Sequence, residues 1–214
     1  MTPSQPSPDF NQILNESAQH LRQNRPAEAI RLLEPLYEEV PEHPDVAINL
    51  GGAYILQRKW NRAVKILGRA AVATPTNAMI WINLAAAELG NIQTAGPKQQ
   101  ERAIRAYERA LQADSTAPNV HYHLGLIYKE RGELMRATAF FQRALEVNPA
   151  DNDAQYWLDR VGKQLAQEQQ TRSASALADT EVRGAGGDTA EDAHSGENTV
   201  GDNTDGDSAD GAAQ

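Results

Sequence analysis

Apolar residues recur along this chain at helical spacing, and the spacing itself recurs. In HYHLGLIYKERGELMRATAFFQRALEVNP (121–149), His121, Leu124, Gly125 and Tyr128 mark one stripe, and Ala137, Phe141 and Ala144 mark a second before Pro149. The polar turn ERGE separates them, so the segment predicts two amphipathic helices. The same arrangement lies 74 positions earlier at Ala47, Leu50, Gly51 and Tyr54, then Ala63, Leu67 and Ala70, then Pro75. A further 34 positions back it is looser: Ile13, Glu16, Ser17 and His20, then Ala29, Leu33 and Leu36, then Pro41. Trp81, Leu84 and Ala85, followed by Ala103, Tyr107 and Ala110, form another copy. Its halves stand six residues further apart because of the segment around NIQTAGPKQQ. Four copies follow: 10–43, 44–77, 78–117 and 118–151.

Small residues at matched places (Gly51, Ala85 and Gly125; Ala29, Ala63, Ala103 and Ala137) permit close helix–helix approach, with large residues three or four positions away filling the gaps. Pro41, Pro75 and Pro149 fall where a missing N–H ends a helix cheaply. Residues 152–170, NDAQYWLDRVGKQLAQEQQ, predict a ninth helix in which Tyr156, Trp157, Leu158, Val161 and Leu165 cover the open end. In the third copy, Gly96-Pro97 is suited to start the second helix, and the insertion predicts a protruding or extended hairpin. Repetition of this kind predicts an all-α solenoid in which each helix pair needs its neighbours to complete a core.

These residues resemble the tetratricopeptide repeat family, with its 34-residue pattern W-x2-L-G-x2-Y, then A-x3-F, then P. The fourth copy fits best, with His121 in the tryptophan position; the second lacks the aromatic at Ala47, the third has Glu88 in place of tyrosine, and the first is degenerate. The resemblance spans 10–151. It implies antiparallel helix pairs stacked in a right-handed superhelix, with the first helices lining a concave groove.

Charge changes the picture mainly at the C-terminus. The 214 residues carry a net −9 and no cysteine, which excludes disulfides and zinc–thiolate sites. From 171 to 214 two arginines face ten acids, a net −8, in Gly/Ala/Ser/Asp-rich sequence with few large aliphatic residues. Such composition predicts a disordered acidic tail, and 1–9, rich in Pro and Ser, a disordered N-terminus. No basic n-region opens the chain and no run approaches about 18 apolar residues, so we expect a soluble, cytoplasmic protein without a transmembrane segment.

Chemistry is sparse. On a helix, His121 and His123 project about 200° apart and cannot share an ion. His121 and His20 occupy places where the family packs an aromatic. No Gly-rich phosphate loop, G-x-S-x-G or H-E-x-x-H is present. We therefore expect no enzyme, no metal and no cofactor.

His123 is the sixth residue of its copy, and Asn15, Asn49 and Asn83 hold that place in the other three. Asparagine is a mediocre helix former, so its recurrence at one phase invites a role. In some family members such asparagines pair with the backbone of an extended peptide, a task suited to an amide that both donates and accepts. The alternative is a bond to a neighbouring helix or to water. Further groove positions implied by the resemblance include Ile48, Gly52, Ile55, Met79, Ile82, Ala86, Asn119, Tyr122 and Leu126. They make an apolar surface with polar spots. The family's basic clamp for a chaperone carboxylate is not expected, since Ile48, Gly52, Asn83, Asn119 and His123 stand at its positions. Separately, Arg58, Lys59, Arg62, Lys65 and Arg69 give the second copy a net +4 against −3 in the first. That is either a solvated outer face or a docking patch for an acidic partner or for this chain's own tail.

We expect a non-enzymatic adaptor or scaffold that holds a peptide or protein segment in its concave groove. The second class is a fixed structural or assembly-factor subunit of a larger complex, including one at a membrane surface. Nucleic acid is not expected, since the near-neutral repeats lack a broad basic footprint.

Overall fold

The computed structural model describes residues 8–185, and every regular element within them is a helix. Four antiparallel pairs follow in order: α1 (Pro8–Arg22) with α2 (Pro26–Glu39), α3 (Pro44–Leu56) with α4 (Trp60–Ala73), α5 (Ala78–Leu89) with α6 (Pro97–Ala113), and α7 (Val120–Glu130) with α8 (Leu134–Val147). Each helix packs on the next, and α3 also lies against both α1 and α5. The last helix, α9, runs from Asn152 to Ala185.

The matched small residues are structural for a measurable reason. A Cβ added to Gly51 would stand 2.6 Å from the Leu67 side chain, and one added to Gly125 would stand 2.6 Å from Phe141. Leu67 and Phe141 thus fill the space that the missing side chains leave, and both are fully buried. The first copy uses Ser17 at this place, buried with its hydroxyl donated to the Leu14 carbonyl at 2.7 Å. A buried hydroxyl without such a partner would be costly.

The turns inside the copies share one backbone solution. Asn24, Arg58 and Gly132 have φ of 55°, 56° and 73°, and the next residue in each donates its N–H back across the turn, to His20, Tyr54 and Tyr128 respectively. This left-handed C-terminal cap favours glycine, so Arg58 holds it at some cost. In the third copy Gly90 turns the chain instead, with Trp60 packed 3.6 Å from where a Cβ would lie. As expected, α6 starts at Pro97, with Gln99 Oε1 accepting from the Gly96 N–H at 3.1 Å. The insertion is divided between this loop and an α6 of 17 residues, against 14 in α4 and α8. Its Ile92 and Ala95 pack back onto the core.

Two boundaries differ from expectation. Pro8 and Asp9, assigned above to the N-terminal tail, open α1, with proline in the first turn and Phe10 buried against the His43 ring. At the other end α9 does not stop at 170; residues 171–185, expected to be disordered, continue it. Ala154 and Val161 are buried and Trp157, Leu158 and Leu165 pack on the core, but every side chain from Ala166 to Ala176 is exposed. Apolar content predicts where packing ends. Alanine, glutamine, glutamate and arginine carry the helix further without it. Residues 1–7 and 186–214, including the rest of the expected acidic tail, lie outside the described residues.

Candidate functional site

On α3, Ile48, Asn49 and Gly52 occupy one half-buried face, and Met79, Ile82 and Asn83 occupy the matching face of α5 beside it. Asn15 is exposed at the same phase of α1. The Asn83 amide donates to the Met79 carbonyl at 2.9 Å, which turns its Oδ1 across to α3, 4.0 Å from the place of a Gly52 Cβ. Gly52 therefore keeps that oxygen accessible, which the sequence did not reveal. Met79, 42% exposed, and Ile82 line a cavity of about 560 Å³ together with Asn77 and Asp114. Asp114 accepts from the Thr116 N–H and hydroxyl, which hold its carboxyl below the usual range. The face is a strip of aliphatic side chains with amide groups and one carboxylate at its edge.

The fourth copy departs from this arrangement. His123 does not continue the row of asparagines into open space; its ring stacks on the buried Tyr107 of α6, centroids 5.6 Å apart and planes within 14°. Burial lowers its pKa. His121 leans the other way, toward Phe140 of α8, and burial, then Arg143, lowers its pKa too. The two rings are thus committed to different helices. Tyr122 lies beside Trp157 of α9, and Lys129 stands 4.2 Å over the same indole, so α9 covers this position. Asn119 precedes α7 with φ 60° and ψ 0°, a left-handed conformation that asparagine tolerates. Its position serves the backbone, two residues later than the matched helix starts would suggest.

The basic residues of the second copy are exposed, but several have partners. Arg62 lies 3.6 Å from Glu34 and Arg69 lies 3.3 Å from Glu42, both acids of the first copy. Lys59 and Arg62 sit over the Tyr54 ring, whose hydroxyl also donates to Glu34. Arg58 is in the left-handed turn, and Lys65 lines an outer cavity. The opposite charges of the first two copies therefore face each other across their junction. Glu34, Glu38 and Glu42, spaced by four, against Arg62, Lys65 and Arg69 were the available signal in the sequence.

Among the described residues, no group of three or more His, Asp or Glu is placed to hold a metal ion, and no helix is long and apolar enough to cross a membrane.

Tetratricopeptide-repeat models match residues 20–88, 98–132 and 118–151. The chain belongs to the tetratricopeptide repeat family. It is 26% identical over 138 residues to anaphase-promoting complex subunit 3 of Schizosaccharomyces pombe, covering 64% of this chain and 20% of that subunit. It therefore spans about a fifth of the length of that relative. Among solved structures, the thermophilic tetratricopeptide-repeat protein TTC0263 of Thermus thermophilus aligns with a TM-score of 0.63 at 20% identity, over 83% of this chain and 97% of that one. MamA of Desulfovibrio magneticus aligns at 0.62 and 20%, over 86% and 99%. At these identities the likeness establishes the helix-pair solenoid.

Proposed function

We propose that this tetratricopeptide-repeat protein is a non-enzymatic adaptor that binds an extended polypeptide segment along the face shared by α1, α3 and α5. The observation that carries the reading is the pairing of Gly52 with Asn83: a side-chain-free position beside an amide oxygen aimed away from its own helix. Asn83 uses one donor on Met79 and keeps an acceptor for a peptide N–H. Ile48, Met79 and Ile82 supply apolar contact for alternate side chains of the ligand. Asn15 and Asn49 extend the row at matched phase. The groove is shorter than four copies would give, because α9 covers Tyr122 and His123 is stacked.

Affinity capture with the full chain tests this. Changing Asn15, Asn49 and Asn83 to alanine should weaken partner recovery at least tenfold, since each lost hydrogen bond costs about 0.5–1.5 kcal/mol. The melting temperature should hold, because alanine raises helix propensity. Unchanged recovery would sink the groove reading.

A second reading, a fixed subunit of a larger assembly, is favoured by one finding: the relative from S. pombe is named as a subunit of a complex. Stoichiometric co-purification that survives dilution would support it, whereas exchange on dilution supports the adaptor.

A further inference from the structure

The outer face carries a second feature, independent of the groove. Arg62, Lys65 and Arg69 on α4 recur 40 positions later, one copy plus the insertion, as Arg102, Arg105 and Arg109 on α6. All six are exposed. Between residues 57 and 113, nine lysines and arginines face three glutamates, a local net of +6 within repeats that are near neutral as a whole.

Two cavities lie in the same register. The first, of about 650 Å³, has Pro35, Tyr37, Tyr54 and Ile66 in its walls, with Lys65 beside them. The second, of about 540 Å³, is lined by Trp81 and Leu84 with all three arginines of α6. Each combines an apolar wall with three cations and two glutamates (Glu34 and Glu38 in the first, Glu88 and Glu108 in the second), an excess of one positive charge that suits an apolar side chain flanked by carboxylates.

We propose that the outer face of α4 and α6 docks an acidic polypeptide segment bearing one large apolar side chain. The apolar side chain enters the Tyr54 cavity, and the carboxylates cross α4 and α6. Charge complementarity selects the occupant, and the first cavity selects a polypeptide over a nucleic acid. Its α2 wall carries Glu34 and Glu38, which repel a continuous phosphate backbone but leave room for an uncharged anchor. α4 and α6 both pack on α5 rather than on each other. An extended chain advances about 3.3 Å per residue, so four acids at every third position span roughly 30 Å, enough to run from one strip of cations to the other. The present ion pairs do not bar this. Arg62–Glu34, Arg69–Glu42 and Arg105–Glu101 are exposed on both sides, and such pairs exchange readily with solvent and ligands. Arg102 stays on the largely buried Glu88, so the docked acids rest chiefly on Lys65, Arg105 and Arg109.

The test uses the full chain and a fluorescent synthetic peptide containing one leucine followed by four aspartates at every third position, with glycine and serine between. Saturable binding is expected, weakened at least tenfold by the triple change Lys65→Ser, Arg105→Ser and Arg109→Ser. It should be unchanged by Asn49→Ala with Asn83→Ala. A peptide with asparagine for each aspartate should not bind, and one with serine for leucine should bind at least fivefold more weakly. Because the three cations are exposed, the triple variant should melt like the parent. The proposal is overturned if binding is absent, if the triple variant binds equally, or if a short DNA duplex competes as well as the peptide. It is also overturned if neutralising the eight acids of residues 186–214 tightens peptide binding tenfold, because the occupant would then be this chain's own C-terminus.

Discussion

The middle of the repeat array and its C-terminal end hold the same register positions in opposite surroundings. At the middle, Asn83 sits beside Gly52, and the space where a Gly52 side chain would lie is open. At the end, His123 holds the same phase as Asn83 but is stacked on Tyr107, and its neighbour Tyr122 lies beside Trp157. The difference is a matter of neighbours. A terminal helix pair has an uncovered face that must be closed, and aromatic side chains close it better than amides. A repeat register therefore transfers geometry from copy to copy, but not role.

The contrast can be broken most strongly at its glycines. Gly125→Leu should cost roughly 1–3 kcal/mol or more in a urea titration, because Phe141 already occupies the space. Gly52→Leu should leave stability equal or higher and still block the proposed groove. If both variants melt alike, the assignment of a packed end and an open middle is wrong.

Trp157→Ala comes next. A fully buried tryptophan costs about 3–5 kcal/mol to truncate; Trp157 is half-buried, so about 2 kcal/mol is expected. Tyr122 should become accessible, detectable as increased fluorescence quenching by acrylamide.

Acid should separate the two regions as well. His123 is kept neutral by burial, so its native pKa lies below the ordinary 6.5 of the unfolded chain. Stability is then full above about pH 6.5 and declines as pH falls through that value, because the unfolded state takes up protons first. His121 acts in the same direction. His123→Asn, which restores the residue found in the other copies, should reduce the fall in melting temperature between pH 7 and 5. An unchanged fall would mean that His123 is not the responsible group.

The smallest effect is expected at the turn. Arg58→Gly removes a left-handed arginine and should raise stability by about 0.5–1 kcal/mol, net of the extra entropy glycine gives the unfolded chain.

Much of this was legible from spacing. The helix pairs, the Gly51 and Gly125 crossings and the start of α6 at Pro97 follow from periods of 34 and 3.6, because burial imposes those periods directly. The positions of His123, Tyr122 and Asn119 did not follow. His123 and Tyr122 depend on what the copy meets outside itself, Tyr107 in the preceding copy and Trp157 in α9. Asn119 is itself the left-handed residue that precedes a helix starting later than the repeat register suggests. The pairing of Arg62 and Arg69 with Glu34 and Glu42 was visible only as a charge difference between copies, since a period does not say which faces meet. The continuation of α9 past 170 was missed because low apolar content argues against packing, whereas backbone helicity needs only favourable propensity.

Packing between successive helices also bears on how the chain acquires its structure. Partners in the repeats are close in sequence, so few long loops have to close before contacts form, and folding should be fast for a protein of this size. The α1–α2 pair is the most degenerate copy, with Glu16 exposed where the others bury leucine. Its amides should exchange with solvent before those of α3 to α6, fraying from that end while the centre stays protected.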